Sequence, residues 1–205
     1  MDPSKIVRSG YDANASEYLQ SRLRGAEGLP LIDELINLVP AGSVAVDAGC
    51  GAGVPLTSYL ARFYRVLGLD FSLTQLQLAV KLSPNAVFAC QDLSALGLAS
   101  SSVDVICSFY AIIHVPRDKH QAILQDFHRI LKPEGHCVLC LGAEDLPEDF
   151  GEYQGVPMYW SHFDASTYKQ MLTEVGLLLL RQELIPDPID GPGSHLFVLA
   201  KRPGA

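Results

Sequence analysis

The chain has 205 residues, of which 48% are apolar and 19% charged, and this composition predicts a compact globular protein rather than a disordered one. Its formal net charge of −8 argues against a nucleic-acid partner, because binding through phosphates requires a basic face. The N-terminal residues contain no apolar signal core and no apolar run reaches the ~18 residues of a membrane span, so we expect a cytoplasmic protein without membrane insertion.

Strand-like and helix-like segments alternate along the chain. The predicted helices are 12–23, 31–39, 55–63, 72–82, 116–131 and 164–175. The predicted strands are 44–47, 65–69, 87–90, 103–109, 136–141, 177–185 and 195–201. Ser72 is predicted as an N-cap, and Pro116 is predicted in the first turn of its helix. The alternation predicts an α/β fold, a Rossmann-like doubly wound sheet of seven mostly parallel strands with helices on both faces and an antiparallel C-terminal hairpin.

One stretch, residues 142–163, shows neither helix nor strand periodicity. It is longer than the connections usual in a compact domain, and such loops often form lids or substrate walls. We therefore predict a single domain over residues 1–205, with a helical cap at 1–40 and a substrate-side loop at 142–163. Tyr153, Tyr159 and Trp160 are the predicted substrate-binding residues of this loop, although aromatic side chains can equally fix a loop to the sheet.

The cysteines favour a structural role. Their number, five, is odd, and they lie mostly in apolar strand-like runs, which predicts reduced, buried thiols in a cytosolic protein. Cys137 and Cys140 form a C-x-x-C motif, but residues three apart in a strand point to opposite faces of the sheet. We therefore predict core thiols and no metal site.

A glycine-rich loop, AGCGAGVP, follows the first predicted strand. Val54 takes the position where a dinucleotide fingerprint has its last glycine or alanine, and no G-K-[ST] sequence is present. Asp47 lies at the mouth of the loop, where it would repel a pyrophosphate by roughly 4 kcal/mol at a separation of ~4 Å. The loop therefore fits neither a dinucleotide nor a nucleoside triphosphate.

Three aspartates, Asp47, Asp70 and Asp92, come at or just after the ends of successive predicted parallel strands. Because these ends meet at one edge of a doubly wound sheet, the three carboxylates should line one crevice. Each of Asp70 and Asp92 could alone be a helix or turn cap. Together they favour a ligand with a ribose, an adenine and a positive charge but no phosphate, and S-adenosylmethionine is such a molecule.

The motifs VAVDAGCGAG, LGLDFS and ACQDLSAL, with the block VDVICSFYAIIHVPRDKHQAILQDFHRILKPEGHCVLCL, resemble the class I S-adenosylmethionine-dependent methyltransferases. The resemblance is to small-molecule members such as the ubiquinone and menaquinone methyltransferase-like group. It implies S-adenosyl-L-methionine as cofactor and in-line transfer of its methyl group to a small-molecule acceptor. The implied cofactor-binding residues are Tyr11, Tyr18, Asp47, Gly49, Cys50, Gly51, Asp70, Phe71, Ser72, Asp92, Leu93 and Ser108.

Two histidines could be catalytic bases, because imidazole titrates near physiological pH. His114 follows the fourth predicted strand, and His162 ends the segment 142–163. Either could instead have a structural role, such as bonding to the backbone at a helix entry. Tyr11 and Tyr18 are seven residues apart, so we expect them on one face of the first helix, either covering the cofactor or packing in the core.

Two other functions remain open from the sequence. A non-catalytic or regulatory protein could bind S-adenosylmethionine through the same residues. An NAD-linked oxidoreductase is disfavoured by Val54 and Asp47. The acceptor and the oligomeric state do not follow from the sequence.

Overall fold

The computed structural model describes residues 2–22, 28–186 and 193–204. The helices are α1 Pro3–Ala13, α2 Ala15–Arg22, α3 Leu29–Leu38, α4 Leu56–Leu60, α5 Leu73–Leu82, α6 His120–Ile130 and α7 Ala165–Glu174. The strands are β1 Val44–Ala48, β2 Arg65–Asp70, β3 Val87–Cys90, β4 Val103–Ser108, β5 Leu131–Gly142, β6 Leu146–Tyr153, β7 Val156–His162, β8 Leu178–Pro186 and β9 Ser194–Lys201. Residues 187–192, most of the predicted loop between the last two strands, lie outside the described residues.

Seven strands form one sheet in the order β3-β2-β1-β4-β5-β9-β8. Strands β1 to β5 pair in parallel, whereas β9 runs antiparallel to both β5 and β8. This confirms the predicted α/β doubly wound sheet with its antiparallel C-terminal hairpin. The strand order reverses at β1, between β2 and β4, and in such sheets ligands bind beyond the carboxyl ends of the strands at this reversal.

The apolar core lies on both faces of the sheet. Alternate residues of β4 show this, because Ile106 packs in one cluster with Phe127 while Val105 and Cys107 pack in the other. Cys137 and Cys140 also fall in different clusters, as their spacing in β5 predicted. The helices therefore cover both faces, which leaves the ends of the sheet for a ligand site.

Two helix boundaries differ from the sequence prediction. The helix predicted at 12–23 is two helices that meet at Asn14, and the first of them begins at Pro3 with Asp2 as its N-cap. Pro116 is not in the first turn of α6, because its ψ of 129° is extended. The short 3₁₀ turns Ile112–His114 and Arg117–Lys119 occupy the space between β4 and α6 instead.

The segment predicted as an irregular loop folds mainly as a β-hairpin. Strands β6 and β7 pair antiparallel, apart from the main sheet. Gln154 and Gly155 form its two-residue turn with φ angles of 50° and 80°, as in the type I′ turns that favour glycine. Val7 of α1 packs against Met158 and Tyr159 of β7, so the hairpin and α1 together form a wall beside the carboxyl edge of the sheet.

Candidate active site

The glycine loop after β1 brings its backbone to the edge of the sheet. The N–H groups of Gly49 and Cys50 donate to the Leu69 carbonyl oxygen at 2.7 and 2.9 Å. A Cβ at Gly49 would clash with Ala111, so this position requires glycine. A Cβ at Gly51 would not clash, because its nearest neighbours, Gln75 Oε1 and a Tyr18 ring carbon, would both lie at a contact distance of 3.8 Å.

Asp70, the last residue of β2, connects this loop to the start of α5. Its Oδ2 accepts from the Gly51 N–H at 2.9 Å, and its Oδ1 accepts from the Ser72 N–H at 2.8 Å. Burial raises the pKa of Asp70, and the backbone hydrogen bonds act in the opposite direction. A carboxylate has about four acceptor sites, so Asp70 can hold the loop and still accept hydroxyl donors from a ligand.

Asp47 is 1% exposed at the end of β1. The Thr57 hydroxyl donates to its Oδ2 at 2.5 Å, whereas Oδ1 is buried with no hydrogen-bond partner in the described part of the chain. Burial raises the pKa of Asp47 to about 7. A nearby cation would favour the charged form of this carboxylate.

A main cleft opens in front of these residues. Of the predicted cofactor positions, it is lined by Tyr11, Tyr18, Gly49, Gly51, Asp70, Phe71, Asp92 and Leu93. A neighbouring side cavity of about 560 Å³ adds Asp47 and Cys50, and it shares Tyr18 and both of these glycines with the main cleft. The structure thus brings together all but two of the predicted cofactor positions.

The two exceptions are Ser72 and Ser108, whose hydroxyls have structural partners. The Ser72 hydroxyl caps α5 by accepting from the Gln75 N–H at 3.1 Å, as predicted, and it donates to Asp12 at 2.5 Å. The Ser108 hydroxyl donates to the Ala48 carbonyl oxygen at 2.7 Å and holds β4 to β1. Both side chains are buried and neither lines the main cleft.

Asp92 both caps a turn and lines the main cleft. Its Oδ1 accepts from the Ser94 N–H at 2.8 Å and from the Ser94 hydroxyl at 2.7 Å. Asp92 therefore caps a turn, which was one of its two predicted roles. It also lines the main cleft, so it belongs to the candidate site as well.

Sequence reasoning missed several residues that line the main cleft. These include Ser4, Val7, Gln75, Phe109, Tyr110 and Lys119. For Gln75 a signal was present, because it lies three residues after the N-cap Ser72, where a capping-box side chain is expected. The others come from the N-terminal helix and from the turn after β4, and nothing in their local sequence marks them.

Tyr11 and Tyr18 do not share one helix face as predicted. They lie on α1 and α2, on either side of Asn14, yet their rings touch edge to face with centroids 4.8 Å apart. Asp12 fixes α1 to the start of α5 by accepting from the Ser72 hydroxyl. The two tyrosines thus form a cover over the main cleft.

His114 joins this cover to the hairpin. Its Nδ1 lies 2.8 Å from the Tyr159 carbonyl oxygen, and its Nε2 lies 2.8 Å from the Tyr11 hydroxyl. A carbonyl oxygen only accepts, so Nδ1 carries the proton of the neutral ring and Nε2 accepts from Tyr11. Loss of solvation lowers the pKa of His114 from 6.5 to about 4 and keeps the ring neutral near pH 7.

A second space, the hairpin chamber of about 1350 Å³, lies on the other side of Tyr11 and His114. Two of the predicted substrate-binding residues, Tyr153 and Trp160, line it, and so does His162, which was predicted as a candidate base. His162 donates from Nδ1 to the Glu144 carbonyl oxygen at 2.7 Å, and burial lowers its pKa. The rim is acidic, with Glu144, Asp149 and Glu152.

Tyr159 does not line the hairpin chamber. Its side chain is 2% exposed and packs with Val7 and Met158 between α1 and the hairpin. Strand alternation explains this, because its neighbour Trp160 points to the other face of β7 and reaches the chamber. Tyr159 contributes through its backbone carbonyl, which fixes the tautomer of His114.

Comparison with known proteins agrees with this geometry. Residues 46–139 match a family described as a methyltransferase domain. The chain is 32% identical over 145 residues to phosphoethanolamine N-methyltransferase 1 of Triticum aestivum, across 66% of this chain and 28% of the relative. It is 32% identical over 155 residues to a malonyl-[acyl-carrier protein] O-methyltransferase of Methylovorus sp. (strain MP688), across 69% of this chain and 52% of the relative. The match of residues 46–139 and these relatives confirm the predicted resemblance to S-adenosylmethionine-dependent methyltransferases.

The fold of this chain is shared by solved structures of low sequence identity. A crystal structure of an S-adenosylmethionine-dependent methyltransferase from Methanosarcina mazei superposes with a TM-score of 0.74 at 18% identity, covering 86% of this chain and 98% of the other. The curated relatives are longer, and the match spans 28% and 52% of their lengths. The structural likeness therefore shows the fold, and it does not identify the acceptor.

The residues of the main cleft and of its side cavity fit S-adenosylmethionine, the cofactor of the methyltransferases that the chain resembles. Gly51 lines both spaces, and the unpartnered Oδ1 of Asp47 beside the side cavity can receive a cationic group. Asp70 retains acceptor capacity for ribose hydroxyls. Within residues 2–22, 28–186 and 193–204, no cluster of His, Cys, Asp and Glu could hold a metal ion and no helix is long and apolar enough to cross a membrane.

Proposed function

We propose that this chain transfers the methyl group of S-adenosylmethionine to a small-molecule acceptor in the hairpin chamber. The observation that carries the proposal is the position of Tyr11 and His114. Both line the main cleft and both line the hairpin chamber, so this hydrogen-bonded pair lies between the two spaces. A reaction between a molecule in each space would take place beside these two side chains.

In the main cleft, the chain's own residues bind and orient the cofactor, which supplies an activated methyl group on its sulfonium. Asp70 would hold the ribose, Asp47 the cationic amino-acid end, and Asp92 the adenine. The cover formed by Tyr11 and Tyr18 excludes water from the space between the cleft and the chamber. In-line attack by the acceptor then requires chiefly alignment, which such enclosure provides.

Tyr11 and His114 would handle the proton of an acceptor that must lose one. The Tyr11 hydroxyl donates to Nε2 of a neutral histidine, so its own oxygen is free to accept from a group in the hairpin chamber. If the Tyr11 oxygen takes a proton from the acceptor, Tyr11 passes its own hydroxyl proton to Nε2 of His114. His162 lies in the same chamber and remains a second candidate base.

The hairpin chamber supports a small acceptor with a cationic or aromatic part. Trp160 and Tyr153 offer aromatic faces, and the acidic rim attracts cations. The two sequence relatives are named for different acceptors, phosphoethanolamine and malonyl-acyl-carrier protein, so their names do not choose one for this chain. We also propose the single-domain arrangement predicted above, with residues 142–163 as the substrate-side wall.

The redox state of the cysteines supports a cytoplasmic location. All five thiols are free. Cys90 is exposed, contrary to the prediction of buried thiols, and an exposed free thiol persists most readily in a reducing compartment.

The proposal is tested by incubating the protein with methyl-labelled S-adenosylmethionine and a panel of small amines, phenols, carboxylates and thiols. Label transfer to an acceptor is the expected result. Asp70→Ala should weaken cofactor binding, with a loss of about 1–3 kcal/mol in binding of S-adenosylhomocysteine, and should therefore lower transfer when the cofactor is not saturating. Cofactor binding without transfer to any acceptor would favour the non-catalytic alternative, and no cofactor binding would refute both.

A further inference from the structure

Gln75 lies in the first turn of α5 and is 1% exposed. Its side-chain amide has one partner, the Tyr11 carbonyl oxygen, to which Nε2 donates at 3.4 Å. Its Oε1 is buried and accepts no hydrogen bond from any residue that the structure describes. An unsatisfied buried acceptor is uncommon in native proteins and calls for an explanation.

The usual partner of this oxygen is already occupied. Ser72 and Gln75 are the first and last positions of a capping box, in which the glutamine reaches back to the N–H of the cap residue. Here the Ser72 N–H donates to Asp70 at 2.8 Å instead. One of the two hydrogen bonds of the capping box is formed, because the Ser72 hydroxyl accepts from the Gln75 N–H. The second, from the Ser72 N–H to the Gln75 side chain, is not formed.

Gln75 lies in the wall of the main cleft together with Asp70. Its Oε1 is 3.8 Å from the point where a Gly51 side chain would begin, and Gly51 lines the same cleft. Asp70 accepts from the Gly51 N–H. Gln75 and Asp70 therefore bring two acceptors to the Gly51 side of the cleft wall.

We propose that Gln75 is a cofactor-binding residue whose Oε1 accepts a hydrogen bond from a ribose hydroxyl of the nucleoside cofactor. The inference rests on the proposed function for the presence of that cofactor. Its ribose offers two hydroxyl donors, and Asp70 and Gln75 together supply acceptors for both. Because Nε2 of the same amide holds the Tyr11 carbonyl, Gln75 also links the ribose to the cover over the main cleft.

The experiment compares Gln75→Met with the parent by calorimetric titration of S-adenosylhomocysteine and by the melting temperature of the ligand-free protein. Methionine keeps the length of the side chain and removes the acceptor, so we expect affinity to fall about tenfold. The ligand-free melting temperature should change little, because the variant loses the long 3.4 Å hydrogen bond to the Tyr11 carbonyl oxygen but no longer buries an unsatisfied oxygen. Gln77→Met, an exposed position on the same helix, is the matched control and should change neither quantity.

A second ligand identifies the part of the cofactor that Gln75 binds. 5′-Methylthioadenosine keeps the ribose and lacks the amino-acid portion, so the tenfold loss in Gln75→Met should persist with it. Equal affinity of parent and variant for S-adenosylhomocysteine, or a loss that disappears with methylthioadenosine, would overturn the inference. A parent protein that binds neither ligand would overturn the proposed function itself. Gln75→Ala replaces the methionine variant if that variant does not fold.

Discussion

At the scale of single residues, the two oxygens of Asp47 differ in environment. One accepts a short hydrogen bond from Thr57, and the other is buried with no donor within the described ranges. Such an arrangement costs free energy in the unliganded protein unless the carboxylate is protonated. Burial accordingly raises the pKa of Asp47 to about 7. A ligand with a positive charge beside Oδ1 would stabilise the charged form of this carboxylate.

This environment predicts proton release on cofactor binding. At pH 6 most of Asp47 is protonated in the free protein, and a cationic group beside Oδ1 would lower its pKa and expel the proton. Titrations of S-adenosylhomocysteine in two buffers of different ionisation enthalpy should therefore show release of a large fraction of one proton. Asp47→Asn retains an acceptor for Thr57 and cannot titrate, so its binding should release no proton. Equal release in both proteins would assign the titration to another group.

Two tyrosine–histidine pairs allow a controlled test of the catalytic residues. Tyr11 donates to His114 beside the hairpin chamber, and Tyr168 lies 2.6 Å from Nδ1 of the buried His120 in the core. In each pair the other ring nitrogen donates to a backbone carbonyl at 2.8 Å. The pairs are thus alike in chemistry, and only the first faces the two ligand spaces.

Tyr11→Phe should lower turnover roughly 100-fold if this hydroxyl takes part in proton transfer, with little change in binding of S-adenosylhomocysteine. Tyr168→Phe should leave turnover unchanged and destabilise the protein by about 1–3 kcal/mol, because it leaves a buried ring nitrogen unsatisfied. Turnover with an acceptor found in the panel and urea unfolding measure the two effects. A similar loss of turnover in both variants would indicate that Tyr11 acts only through stability.

At the scale of elements, the hairpin β6–β7 was the largest difference from the sequence prediction. Its first strand, LPEDFGEY, is exposed along most of its length and contains proline, glycine and three acids, so neither burial nor propensity marks it as a strand. The one local signal is the Gln154–Gly155 turn, which suits a two-residue hairpin. The hairpin is instead defined by packing against α1, an interaction between segments about 150 residues apart in the sequence.

Large separation in the sequence also explains why the contact between Tyr11 and His114 was not predicted. His114 and Tyr11 were each identified as candidates, but their hydrogen bond joins residues 103 positions apart and follows only from the docking of α1. By contrast, Asp47, Asp70 and Asp92 were predictable as neighbours, because the strand ends of a parallel sheet place them at one edge. Contacts made by the sheet could be derived from sequence, and contacts made by α1 could not.

The docking of α1 on the hairpin depends on Gly10. A Cβ at this position would lie 2.8 Å from the Pro157 carbonyl oxygen, which is backbone and cannot move aside easily. Intrinsic helix propensity favours Gly10→Ala by about 1 kcal/mol, but we expect the clash to dominate. The variant should melt at a lower temperature than the parent and show a raised KM for the acceptor. Ser9→Ala, at an exposed site on α1, is the control and should melt at the same or a higher temperature. A more stable Gly10→Ala protein would contradict the packing described here.

At the scale of the whole molecule, the sheet could be predicted because its buried parallel strands are continuous apolar runs. Strand β4 reads VDVICS and is buried except for Asp104, which lies partly exposed and pairs with Lys132. The pKa shifts of the titratable groups could not be predicted in this way. It depends on which of the titratable groups the fold buries, and the fold buries His120 and Asp47 and desolvates His114.

These three groups make stability depend on pH in opposite directions. His114 and His120 have pKa values of about 4 in the folded protein against 6.5 when exposed, so between pH 4 and 6.5 the unfolded chain binds more protons at these positions. Stability therefore rises with pH, by up to about 1.4 kcal/mol per pH unit for each histidine. Asp47 acts oppositely, because its pKa is raised from 3.8 to about 7 and the folded protein binds the extra proton.

Burial also lowers the pKa of His162 and raises that of Asp70, which adds one contribution of each sign to those of the two histidines and of Asp47. The histidines still outnumber the aspartates, so we expect the free energy of unfolding to rise from pH 4.5 to 6.5. Urea unfolding at intervals of half a pH unit measures the slope. His120→Gln removes one of these histidines and should flatten the slope, whereas Asp47→Asn removes an opposing group and should steepen it. The two variants test the sign of each contribution separately, since any change in overall stability shifts the whole curve without altering its slope. A slope that both variants leave unchanged would show that the fold does not perturb these groups as described.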